Sequence, residues 1–172
     1  MIALLALAVA AAQANWPLVL AHTAGRYVQV WGATTLAAIA IAWLETLWRA
    51  RRLHGPMADT MLSAALRPVI PFVATGAILT IVVSKYAAGA VWLLPGLWQI
   101  LIGLLGFTLL PIVPRALVWV AVWYVLCGTF VLGLAGRVGS LSPWAMGLPL
   151  VIGQGAVALI VSRGGVERDE KI

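Results

Sequence analysis

VWLLPGLWQILIGLLGFTLL, residues 91–110, is twenty residues long and carries no charge. A helix rises about 1.5 Å per residue and the hydrocarbon layer of a bilayer is about 30 Å thick, so roughly twenty apolar residues make one crossing. The stretch also carries its own punctuation. Pro95 sets the start of regular helix near Leu94, because a first helical turn does not use the N–H that proline lacks. Pro111 and Pro114 mark the stop.

Working outward, the same reading repeats. Residues 27–48, 68–84, 116–135 and 143–162 are also apolar runs of membrane-crossing character. Pro68 is expected in the first turn of its span, with Pro71 close behind, and Pro149 is expected to kink the last one. None of the runs alternates apolar and polar residues as a barrel strand would. The chain as a whole is 63% hydrophobic and 9% charged. A soluble domain is about 45–50% apolar and about 25% charged, so water is the wrong solvent for this surface. The fold class is therefore all-α: a polytopic transmembrane bundle of five to six helices, one membrane domain over residues 1–172.

The first stretch decides between five and six. MIALLALAVAAAQAN, residues 1–15, is apolar and ends near Ala12-Gln13-Ala14, which has the small-residue pattern of a signal-peptidase site. A secretory signal carries Lys or Arg ahead of its apolar core. Here only the α-amino group is available. Asn15 and Pro17 disfavour a straight full crossing. Residues 1–21 are read as a retained apolar segment, spanning or lying at the outer surface, in preference to a cleaved signal.

Charge orients the spans, since cytoplasmic loops are enriched in Lys and Arg. Arg49, Arg51, Arg52, Arg67, Arg115, Arg163, Arg168 and Lys171 fall on one side by parity, eight against the three of Arg26, Lys85 and Arg137. The expected location is a bacterial inner membrane with the 163–172 tail cytoplasmic and frayed. The formal net charge of +6 then serves orientation and contact with anionic headgroups. No basic folded domain suggests nucleic acid. Most of the nine tryptophans are expected near the two interfaces, Trp31 and Trp98 at the outer one, while Trp123 and Tyr124 lie well inside.

Ionisable residues inside a membrane are functional candidates because burying charge in lipid is costly. Glu45 lies about one turn from the cytoplasmic end of its span, and Arg49 follows four residues on, on the same helical face. The pair reads as an interfacial ion pair or as a titrating, cation-binding carboxylate. Gln99, Tyr124 and Gln154 are the other candidate polar or ligand-site residues. Gln154 is expected to bond to Tyr124 or to a backbone carbonyl; the set could also form the polar floor of a lipophilic-ligand pocket. Cys127 reads as buried filler. His22 and His54 fall on opposite sides of the membrane, and no catalytic or metal-ligating motif is present. No catalytic residue, metal or cofactor is expected. Small residues four apart, as at Ala6, Ala10 and Ala14, and at Ala33, Thr34, Ala37 and Ala38, permit close helix packing. They serve packing within the chain, self-association or contact with another membrane protein.

The phrases ALRPVIPF, WLLPGLWQILIGLLGF, the LP-x-VPR turn, VWYVLCG and SPWAMGLPLVIGQ, spread over residues 65–156, resemble a group of small bacterial integral membrane proteins. The resemblance implies a multi-span bundle and supplies no activity. The proline- and tryptophan-rich signature of the translocator-protein family is missing. The expected function is a non-enzymatic membrane component such as an accessory subunit, sensor or scaffold. A small transporter or lipophilic-ligand binder is the alternative, and an intramembrane enzyme a second one.

Overall fold

The structure is a computed structural model and describes residues 2–15, 24–54, 58–111, 113–138 and 143–169. Among these there is no strand. Six α-helices follow one another: α1 (Ile2–Asn15), α2 (Ala24–His54), α3 (Ala58–Tyr86), α4 (Leu94–Leu109), α5 (Val118–Val138) and α6 (Pro143–Asp169). Short 3₁₀ turns, Ala88–Leu93 and Arg115–Leu117, lead into α4 and α5.

Four segments are long and apolar enough to cross a membrane: Arg67–Tyr86, Ala88–Leu109, Arg115–Leu134 and Trp144–Ser162. The second shows how a short helix manages it. The sixteen residues of α4 reach only about 24 Å at α-helical rise. Pro95 sits in its first turn, as expected, and the preceding 3₁₀ turn of six residues adds about 12 Å at its steeper rise. α1 is different: fourteen residues extend about 21 Å, short of a crossing.

The outward faces are apolar. Ile78, Ile81, Leu104, Leu126, Phe130, Ile152 and Leu159 are all exposed. In water such a contiguous apolar surface would aggregate, whereas lipid is its natural covering. With no hydrophobic drive between helices in lipid, close backbone approach must hold the bundle together. α4 and α5 achieve it, and theirs is the most extensive contact among the described residues. A Cβ added at Gly128 would lie 2.6 Å from the Gly96 carbonyl oxygen, and one at Gly103 would lie 2.8 Å from the Ala121 carbonyl oxygen. Gly106 abuts the methyl of Ala121, 2.9 Å from an added Cβ. These glycines pack within the chain. α1 packs chiefly on α6, where Ala10, Trp31 of α2 and Met146 form a fully buried apolar cluster.

Two local expectations need correction. Pro68 and Pro71 do not open a helix; both lie inside α3, which begins ten residues before Pro68. They interrupt the backbone ladder near Arg67, at the polar end of the span, where water can satisfy the carbonyls they leave without donors. The tail does not fray at residue 163, because α6 continues to Asp169; nothing after Ser162 is a helix breaker of proline type. Trp31, expected at the depth of the outer interface, is packed between helices and is the largest fully buried side chain among the described residues. On α2, Thr34 is buried and Ala38 half-buried, while Ala33 and Ala37 remain exposed, so only one of the small-residue faces packs inward.

Candidate functional site

Side-chain hydroxyls in the spans are largely consumed locally. Thr34, Thr75, Thr80 and Thr129 each donate to the carbonyl four residues back, at 2.7–2.9 Å. Such back-bonding satisfies a hydroxyl inside its own helix and costs no neighbour. What remains for interaction between helices is a short set of amides, indoles and one phenol.

Gln99 is the central member. It lies on the packed face of α4, between Gly96 and Gly103, and is completely buried. Its Nε2 donates to the Ala145 carbonyl of α6 at 2.6 Å and approaches Met146 Sδ at 3.6 Å. The chemistry of that carbonyl explains the contact. In a helix the oxygen of residue 145 would accept from the N–H of residue 149, but residue 149 is proline. Gln99 supplies the missing donor from another helix. The amide orientation is thereby fixed, since the reverse would set oxygen against oxygen. Its Oε1 is left buried with no partner.

Pro149 is engaged a second time. Trp123 Nε1, from α5, donates to the Pro149 carbonyl at 3.2 Å. One turn further along α6, Gly153 lies against the ring of Tyr124. A Cβ there would sit 2.5 Å from Tyr124 Cζ, so only glycine admits the ring. Tyr124 is 2% exposed, and its hydroxyl has no hydrogen-bond partner. Gln154 is its polar neighbour on α6. At the far side of α4, Trp98 Nε1 donates to Thr80 Oγ1 of α3 at 3.0 Å.

The expected candidates thus divide. Gln99, Tyr124 and Gln154 all meet the interface between α6 and the α4–α5 pair, though at different heights: Gln99 at Ala145, Tyr124 at Gly153. Glu45 and Arg49 fall on α2, but their side chains lie outside the described residues. Trp123 and Pro149 were not among the candidates. The available signal was Pro149 itself, which orphans one carbonyl in a segment without water to satisfy it. Among the described residues no three His, Cys, Asp or Glu side chains gather as metal ligands. Comparison with known protein families, curated proteins and solved structures finds no match for this chain.

Proposed function

We propose that this protein is a non-enzymatic integral membrane component of a bacterial inner membrane, acting as a scaffold or accessory subunit, with its C-terminal tail cytoplasmic. One observation carries the reading. Two polar side chains of the spans, Gln99 and Trp123, are spent on joining helices, both bonded to the carbonyls around Pro149. A catalyst needs reactive groups converging on one point within hydrogen-bond reach. Here the strongest polar contacts are already saturated by the protein's own backbone. The apolar outer faces of α3, α5 and α6 suit lipid or a second membrane protein.

Extraction into lipid nanodiscs under gentle conditions, followed by native mass measurement, tests this. A stable complex with a second protein or a defined oligomer is the expected result. A lone monomer with no retained protein would overturn it.

A specific observation favours a second reading, a binder or carrier of a lipophilic molecule bearing one polar group. Gln99 Oε1 and Tyr124 Oη are buried acceptors or donors without partners, a state proteins seldom leave uncompensated. A lipophilic compound that survives purification and is lost in a Tyr124→Phe variant would favour this reading over the scaffold.

A further inference from the structure

The helices of the bundle are not joined evenly. α4 and α5 interlock through Gly96, Gly103 and Gly128, each against backbone of the facing helix, and through Gly106 against the methyl of Ala121. α1 lies along α6, with Ala10 buried against Met146. Among the described residues, the contact of α6 with α4 and α5 is far sparser than either of these. It includes Trp98 and Leu150 against the apolar cluster, Tyr124 on Gly153, the long contact of Gln99 Nε2 with Met146 Sδ, and two hydrogen bonds to backbone carbonyls.

Those two hydrogen bonds are singular in kind. Apolar contacts are non-directional, so they tolerate sliding. The bonds from Gln99 to Ala145 and from Trp123 to Pro149 fix register, and both grip α6 at the place where proline has removed a rung of its own ladder. The same surface holds both unpartnered atoms named above, Gln99 Oε1 and Tyr124 Oη. Each is a polar group that this arrangement leaves unsatisfied, and so a reason for it to be less than the optimum for that surface.

We infer that the protein moves as two bodies, α4–α5 and α1–α6, along a joint latched at Pro149 by Gln99 and Trp123. The inference concerns movement and stands whichever role the protein serves. The latch works because its donors come from one body and its acceptors from the other. Releasing it frees α6 to shift with α1 still attached, since Ala10 and Met146 belong to the same body. Leaving their present arrangement gives the two unpartnered atoms access to new partners.

Spin-label distance measurement in nanodiscs tests the division. In a Cys127→Ala background, labels go on exposed positions: Leu126 with Leu159 across the joint, Leu104 with Leu126 inside one body, and Leu7 with Leu159 inside the other. Each pair is measured with the latch intact and cut. The cut uses Trp123→Phe together with Gln99→Leu and Pro149→Ala. The alanine restores the N–H that the Ala145 carbonyl needs, so the fold is not lost along with the latch. The expected result is a second distance population or a broadened distribution across the joint only, with both internal pairs unchanged. If no pair changes, there is no joint. If all three broaden together, there are not two bodies. Either result overturns the inference.

Discussion

Gln99 on α4 provides the hydrogen bond that Pro149 withholds from its own helix, meeting the Ala145 carbonyl at 2.6 Å. A glutamine and a proline fifty residues apart are thereby bound into one local requirement. Either alone is a defect in a membrane helix, one a buried amide and the other a broken ladder. Together they half-cancel, and the remainder is the unpartnered Gln99 Oε1.

That dependence has a measurable sign. Gln99→Leu keeps the volume but strands the Ala145 carbonyl, and an unsatisfied buried acceptor costs about 1–3 kcal/mol. Inter-helix bonds in membranes average nearer 0.6 kcal/mol, because an unfolded helix in lipid finds other partners, so the lower end is expected. Adding Pro149→Ala should recover most of the loss by restoring the helix's own donor. Unfolding in detergent across the double-mutant cycle checks this; strictly additive losses would refute the coupling.

The α4–α5 seam predicts a contrast between glycines. Gly128→Ala places a methyl 2.6 Å from the Gly96 oxygen, so the helices must part. Overpacking of this kind costs about 1–3 kcal/mol. Gly133→Ala, on the same helix with nothing within 4 Å, should be neutral or stabilising by up to ~1 kcal/mol from helix propensity alone. Thermal unfolding of the two variants gives the comparison, and equal losses would contradict the seam.

Tyr124→Phe removes a hydroxyl that is buried without a partner. Stability should stay level or rise slightly, since no bond is lost and the desolvation cost of the hydroxyl is relieved. A loss of more than about 1 kcal/mol would mean that the hydroxyl has a partner after all. Gly153→Ala is the harsher change, because the ring has nowhere to go, and should destabilise.

The amino-terminal segment packs as part of the bundle, with Ala10 fully buried between Trp31 and Met146. Peptide mapping of the protein purified from membranes should therefore recover the segment containing Ala10. A product lacking its first fourteen residues would show cleavage as a signal and would empty that cluster.

Much of this architecture was legible because lipid imposes length and polarity on a helix directly. Residues 91–110, with Pro95 at one end and Pro111 at the other, gave the start of α4 at Leu94 without any knowledge of its neighbours. The proline reading failed at Pro68 and Pro71. Their tolerance depends on where water begins, and the run of apolar residues does not mark that point. Gln99, Tyr124 and Gln154 stood out as polar groups in oil, yet their partners did not. The carbonyl that Gln99 seeks belongs to an alanine and is exposed only by a proline four residues later. Trp31 shows the same limit. A tryptophan near a helix end suits an interface or a core equally well, and only the small Ala10 of another helix decides it.

No residue between 67 and 86 is buried, so the crossing made by α3 touches the bundle along one edge, fastened to it by the Trp98–Thr80 bond. A rod that lies along one edge, with no side chain of its crossing sunk into the bundle, is the part of the assembly most easily inclined. When bilayer thickness departs from the length of the apolar helices, tilt is the cheapest remedy. α3 should therefore lean first, pivoting about Thr80, while the glycine-locked pair beside it keeps its angle. Oriented infrared dichroism in short- and long-chain lipids would register that difference, and a uniform tilt of all helices would exclude it.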